Sequence, residues 1–333
     1  VNKSNEMPAT AKRPKVVILT SPDVAPPYNL DALGGQAELV ITDAAGLSDA
    51  IPGAQVLFLW DFFSTALREA WDHADSLRWV HVAAAGVDSL LFDELRQSGV
   101  LVTNAHGAFD GPIAEFVLAS ILAHDKQIHV SKYLQRQNVW KHREVQRTAG
   151  QNALVVGTGG IGRATARLLK AVGMDVLGVG RTVREEDPDF NKVVSSSELA
   201  AYAGWADHLV LIAPLTEDTR GILSAEVLAR MKPTAHIVNV GRGALVDEKA
   251  LFQALHEGQV AAASLDVFNE EPLPADHPFW SMGNVHVSAH MSGDVVGWRD
   301  TLAGQFETNL GLWLSSGTLI NKVDKKLGYV TTG

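Results

Sequence analysis

The chain has 333 residues, 46% of them hydrophobic, enough for two domains with buried cores. Its 28 basic and 38 acidic residues leave a formal charge of −10, which gives no electrostatic ground for a nucleic-acid or anionic-membrane partner. With no cysteine, disulfides, zinc–thiolate sites and cysteine nucleophiles are excluded.

Residues 1–14 are polar, with two prolines, and lack the apolar core of a signal peptide; they read as a disordered N-terminal tail. No apolar run reaches the length of a membrane span, and the expectation is a cytoplasmic protein. After the tail, short apolar runs at 16–20, 38–42, 56–60, 77–82 and 100–103 read as strands. Helical periodicity appears between them at 64–72 and 88–98. Such alternation predicts a parallel sheet with right-handed crossovers. A single long helix is expected over 111–137, with Pro112 near its first turn.

A second alternation follows, with strands near 154–156, 176–179, 209–213, 237–240, 261–265 and 285–288 and helices near 161–172, 224–231 and 247–256. This predicts a Rossmann-type sheet with ligand over the carboxyl ends of its strands. A last helix, 293–316, is long enough to return to the first domain, and 319–329 shows no strong pattern.

The richest stretch opens this second domain. An apolar run ending at Val156 leads into Gly157, Thr158, Gly159, Gly160, Ile161 and Gly162, a G-x-G-x-x-G between a strand and a helix. Gly157 permits the tight turn, Gly159 lets the backbone approach a pyrophosphate, and Gly162 lets the helix close onto the sheet. The diphosphate then meets the helix N-terminus, where unpaired N–H groups and the macrodipole favour an anion. About twenty residues on, where NAD-binding versions carry an acid for the ribose, stand Arg181 and Thr182, with Arg184 close behind. An arginine there suits a 2′-phosphate, so NADP is the expected cofactor, with NAD possible.

Three polar residues follow successive strands. Arg242 offers a planar fork for a carboxylate, and His290 suits proton transfer near neutrality. Glu271 can stabilise the imidazolium. That set fits hydride transfer beside a carboxylate. The other histidines, among them His73, His81, His129 and His142, show no ligand spacing, and no metal is expected. Trp60 reads more readily as core than as a ligand contact.

In these motifs the chain resembles the D-isomer-specific 2-hydroxyacid dehydrogenases, and the resemblance runs through almost the whole chain. It rests on 85–88 as a substrate loop, 114–116 as the start of an inter-domain helix, the glycine fingerprint, and Pro214 with Thr219 as a cofactor-side loop. The segments 238–243, 266–274 and 290–293 match the arginine, glutamate and histidine motifs. The resemblance implies an α/β fold of two domains. A Rossmann dinucleotide-binding domain (111–294) is inserted into a smaller flavodoxin-like substrate domain (15–110 and 295–333).

It further implies Arg242 as carboxylate anchor, His290 as acid/base and Glu271 as its partner, with the N–H groups of Ala85, Gly86 and Val87 binding substrate. Asp266 would touch the nicotinamide amide, and Val240 and His290 would line the cofactor. The implied reaction is NAD(P)H-dependent reduction of a small 2-oxo acid, of the glyoxylate or hydroxypyruvate type, to a D-2-hydroxy acid, and the implied assembly is a homodimer. A dinucleotide-sensing, corepressor-like binding protein on the same fold is the alternative. Two departures stand out: Ala289 occupies the place where the family commonly has proline, and Arg181 replaces the usual acid.

Overall fold

The computed structural model describes residues 13–331; of the expected N-terminal tail, residues 1–12 lie outside them. Contacts divide the chain into two units, one built from the chain up to Ala108 and from Gly297 onward, the other from Phe109–Val296. In the first, β1 (Lys15–Leu19), β2 (Glu38–Thr42), β3 (Val56–Leu59), β4 (Trp79–Val82) and β5 (Leu101–Thr103) form a parallel sheet ordered β2-β1-β3-β4-β5. Helices α1 (Leu30–Gln36), α2 (Leu47–Ala50), α3 (Ala66–Glu69) and α4 (Asp93–Gln97) lie between the strands. The runs VLFL and WVHV of β3 and β4 are buried at every position, as a parallel sheet covered on both faces requires. This strand order is the flavodoxin-like one.

The second unit opens with α5 (Asp110–Asp125) and α6 (Ile128–Arg136), followed by β6 (Asn152–Val156), α7 (Gly160–Ala171), β7 (Asp175–Gly180), β8 (Val193–Ser195) and α8 (Leu199–Ala203). Then come β9 (His208–Leu211), α9 (Ala225–Arg230), β10 (His236–Asn239), α10 (Glu248–His256), β11 (Ala262–Leu265) and β12 (Val285–Val287). The seven strands are parallel in the order β12-β11-β10-β9-β6-β7-β8, so the winding reverses between β6 and β9. One face is filled by Leu154, Val156, Leu209, Leu211, Ile237 and Leu265. At the reversal the backbones crowd together. A Cβ on Gly157 would lie 2.7 Å from the Ala213 nitrogen, and one on Gly162 would overlap the Gly157 carbonyl oxygen.

Several elements depart from the sequence expectation. The helix expected over 111–137 is two helices. The buried stripe of α5 ends at Asp125, whose carboxylate accepts from Thr148 Oγ1 at 2.7 Å, and Gln127 then takes a left-handed φ of 50°. Arg143 stabilises the break, donating to Gln127 Oε1 at 2.8 Å and to its carbonyl at 3.2 Å. The stretch 64–72 holds only α3 before a 3-10 turn at Trp71–His73. In 88–98 only α4 is helical, because a turn closed by Leu90 N–H on the Val87 carbonyl at 3.1 Å precedes it. Strand β8, at the sheet edge, was not expected.

The last helix, α11 (Trp298–Ser316), starts five residues later than expected, after Gly297 at φ 82°. It belongs to the first unit, where Phe306 stacks on Phe58 at 4.0 Å. The stretch without pattern holds a short hairpin of β13 (Val323–Asp324) and β14 (Tyr329–Val330). No helix among the described residues is long and apolar enough to cross a membrane. Trp60 is core, with Nε1 donating to the Ala25 carbonyl at 2.7 Å.

Two predictions follow from the packing. Gly162→Ala forces α7 away from the sheet and lowers stability by about 1–3 kcal/mol, read as a lower denaturation midpoint. Acid sensitivity is the second. On β4, His81 is fully buried; its Nδ1 bonds Thr103 Oγ1 at 2.7 Å, Nε2 has no partner among the described residues, and burial pushes its pKa down to about 3. The unfolded chain therefore binds more protons between about pH 3 and pH 6.5, and stability is lost as pH falls through that window. Stability at pH 5 falls about 2 kcal/mol below that at pH 7.5 from this group alone, and His81→Leu removes that part of the loss. Denaturant titrations at the two pH values check it; equal stabilities in the unsubstituted protein would contradict it.

Candidate active site

In the second unit the sequence places glycines where β6 turns into α7, and the structure shows why they are required. Gly157 sits at φ 115°, a conformation that disfavours side chains, and its N–H bonds the Val179 carbonyl at 2.9 Å. The N-cap of α7 is Gly159; no side chain caps the helix and no acid lies in its first turn. Its leading N–H groups thus lie at the end of the sheet, and the Asp110 carboxylate at the start of α5 sits beside Gly160, where an added Cβ would overlap it.

Thr158 lies beside the end of β7, where a Cβ on Gly180 would come within 2.9 Å of its Oγ1. Arg181 and Thr182 follow, both exposed. Beyond β9, Thr219 Oγ1 donates to the Pro214 carbonyl at 2.7 Å and accepts from Thr216 N–H at 2.8 Å, closing a tight turn. All these groups gather at the carboxyl ends of β6, β7 and β9, at the reversal of the sheet.

Arg242, Glu271 and His290 follow β10, β11 and β12, three neighbouring strands. Asn239, the last residue of β10 and 1% exposed, shapes the arginine turn: its Nδ2 donates to the Arg242 carbonyl at 2.9 Å and its Oδ1 accepts from Gly241 N–H at 3.1 Å. Arg242 itself is half-buried, with Nη1 on the Gly241 carbonyl at 2.8 Å. Behind it, a Cβ on Gly243 would overlap the Phe268 carbonyl, so the arginine and glutamate segments press together.

His290 Nδ1 and Glu271 Oε2 are 2.7 Å apart, with about a third of each side chain exposed. Glu271 Oε1 accepts from Phe268 N–H at 2.8 Å. Burial disfavours the Glu271 anion, but the hydrogen bonds from His290 and Phe268 N–H, with the charges of His290 and Arg242, hold its carboxyl below the usual range. His290 has φ 51°, a left-handed conformation uncommon for a residue with a side chain, so its neighbours must hold it.

Asp266 supplies that hold. It is 1% exposed, and its carboxylate accepts from Ser288 Oγ at 2.6 Å, Met291 N–H at 3.0 Å and Ser292 N–H at 2.9 Å, while its carbonyl takes His290 N–H at 2.8 Å. In this structure Asp266 therefore organises the histidine loop from beneath, whereas the resemblance implies that it touches the nicotinamide amide. Val240 is buried at the end of β10.

In the first unit, the loop after β4 carries Ala85, Gly86 and Val87, whose N–H groups have no acceptor among the described residues. Asn104 Nδ2 pins the loop through the Ala85 carbonyl. Sequence reasoning missed Asn239, the looping role of Asp266, and an arginine–aspartate network beside α7. The adjacency of Arg163 to Gly162, and the acids at 187 and 189, are the only signals that pointed there.

Residues 118–292 match the model of the D-isomer specific 2-hydroxyacid dehydrogenase NAD binding domain. A glyoxylate reductase of Korarchaeum cryptofilum is 34% identical over 73% of this chain and 74% of its own length. The NADPH-dependent glyoxylate/hydroxypyruvate reductase of Sinorhizobium meliloti, solved with NADP and sulfate, is 28% identical with a TM-score of 0.82, covering 96% of this chain and all of its own. A D-isomer specific 2-hydroxyacid dehydrogenase of Xanthobacter autotrophicus, solved with NADPH and MES, is 29% identical with a TM-score of 0.80 over 96% of this chain and all of its own. The chain belongs to the D-isomer specific 2-hydroxyacid dehydrogenase family.

Proposed function

We propose that this chain reduces a small 2-oxo acid, of the glyoxylate or hydroxypyruvate class, to the D-2-hydroxy acid with NADPH in preference to NADH. The observation that carries the reading is the His290–Glu271 pair at 2.7 Å, which follows the two strands next in the sheet to that of Arg242. The names of the relatives, glyoxylate reductase and NADPH-dependent glyoxylate/hydroxypyruvate reductase, support the substrate class.

The cofactor is a nicotinamide dinucleotide, and the residues at the β6–α7 turn fit it. The turn at Gly157 has no room for a Cβ, and the first turn of α7 contains no acid of its own. Gly157, Thr158, Gly159, Gly160, Ile161 and Gly162 would hold the diphosphate, with Pro214, Thr219 and Val240 along the rest of the molecule. When bound, the nicotinamide supplies the hydride. Arg181, with Arg184 behind it, supports the preference for a 2′-phosphate, and no acid stands at residues 180–184.

Arg242 holds the substrate carboxylate and draws charge from the adjacent carbonyl. His290 Nε2 gives a proton to the carbonyl oxygen, while Glu271 keeps Nδ1 protonated and the ring oriented. The N–H groups of Ala85, Gly86 and Val87 are donors of the kind a carboxylate needs. We further infer a homodimer. Ile128, Val130, Tyr133, Val139 and Trp140, in α6 and just after it, are exposed apolar side chains of the sort a second copy covers.

The test is cofactor oxidation by purified protein with glyoxylate, hydroxypyruvate, pyruvate and phenylpyruvate, each with NADPH and with NADH. Turnover of glyoxylate or hydroxypyruvate that is faster with NADPH is the expected result. Turnover with NADH alone would remove the argument from Arg181, and none with either would favour dinucleotide sensing. In the same assay His290→Ala lowers kcat by roughly 10²–10⁴ with little change in KM. Arg242→Ala raises the KM for the oxo acid as well. An unchanged kcat would take His290 out of the mechanism.

A further inference from the structure

The loop joining β7 to β8 presents a paradox for the NADPH reading, on which this inference rests. After Arg181 and Arg184 it carries Glu185, Glu186, Asp187 and Asp189, and carboxylates beside a 2′-phosphate repel it. The structure turns the two aspartates inward. Side-chain exposure is 1% for Asp187 and 14% for Asp189.

Asp187 is a hub of five hydrogen bonds. It accepts from Arg163 Nη1 at 3.0 Å and Nη2 at 3.1 Å, from Arg184 Nε at 2.7 Å, and from the N–H groups of Asp189 at 3.0 Å and Phe190 at 3.2 Å. Asp189 takes Arg163 Nη1 at 2.8 Å and Arg167 Nη1 at 3.0 Å. Three arginines thus answer two carboxylates. Arg163 directly follows Gly162 in the first turn of α7, so the bidentate pair ties the phosphate-facing helix to the loop that carries Arg181.

Arg184 is held differently. Its backbone exchanges two hydrogen bonds with Val193, at 3.0 and 2.8 Å, and Asp187 engages its guanidinium only through Nε. Nη1 and Nη2 have no acceptor among the described residues, and Nη2 is buried. A carboxylate that grips a guanidinium through Nε fixes its plane, and with Nη2 enclosed it is Nη1 that is left for a second anion.

We propose that Asp187 is a positioning residue for cofactor choice: it neutralises Arg163 and orients Arg184 toward a 2′-phosphate, with the loop's two aspartates turned inward and Glu185 and Glu186 left exposed to solvent. It acts through Arg184 and touches neither substrate nor cofactor.

The test compares binding of adenosine 2′,5′-bisphosphate and of 5′-AMP to the full chain by calorimetry, in the unsubstituted protein, Asp187→Asn and Arg184→Met. The unsubstituted protein should bind the bisphosphate at least about tenfold tighter than AMP, and each substitution should cut that ratio about fivefold or more. In turnover the same variants should raise the KM for NADPH more than that for NADH. A general loosening of the loop would weaken both nucleotides alike and leave the ratio in place; a retained ratio in both variants overturns the inference. Equal affinities in the unsubstituted protein would instead overturn the NADPH reading itself. Should Asp187→Asn not fold, Arg184→Met decides alone, because it leaves the Arg163–Asp187 pair intact.

Discussion

At Gly162 a single added carbon would overlap the Gly157 carbonyl oxygen, and much of the nucleotide-binding unit is arranged around that closeness. Because the first turn of α7 rides against the end of β6, its leading N–H groups come to the reversal of the sheet, where β6 and β9 part. The same approach brings Arg163, the next residue, over the β7–β8 loop. A helix set even slightly farther from the sheet would lose the anion-facing backbone and the arginine bridge together. This constraint lies in the backbone, and glycine is the only residue that satisfies it.

The second theme is the holding of charges by buried carboxylates. Asp266 and Asp187 are almost fully enclosed, and each collects backbone N–H groups with side-chain donors, so each orders a loop that carries a chemically useful residue. Asp266 holds the loop of His290 in its left-handed conformation, and Asp187 orients Arg184. Buried carboxylates of this kind are costly without full hydrogen bonding, and here each accepts at least three bonds. Glu271 differs in being partly exposed, with its carboxylate 2.7 Å from His290 Nδ1.

The relation between sheet order and site explains why residues far apart in sequence can cooperate. Arg242, Glu271 and His290 span nearly fifty positions, yet each stands in the loop that follows a strand, and the three strands are neighbours. Packing the arginine segment against the glutamate segment again needs a glycine, Gly243, with no room for a Cβ. The site is therefore built from loop residues on a rigid parallel sheet, with glycines wherever two loops must touch.

The chain's own sequence determined the α/β alternation, the dinucleotide turn, and the positions of Arg242, Glu271 and His290 after strands. These depend on local signals: apolar runs of strand length, glycines at fixed spacing, and polar residues directly after a strand. Only the tertiary structure decided the break at Gln127, where Arg143 reaches back sixteen positions to bond the Gln127 side chain and carbonyl. It likewise decided that Asp187 pairs with Arg163, twenty-four positions away, and that Asp266 serves the histidine loop from below. Such contacts join residues with no shared period, and the short polar segments that carry them look, in sequence, like any solvated loop. Their pairing exists only once the sheet has brought the loops together.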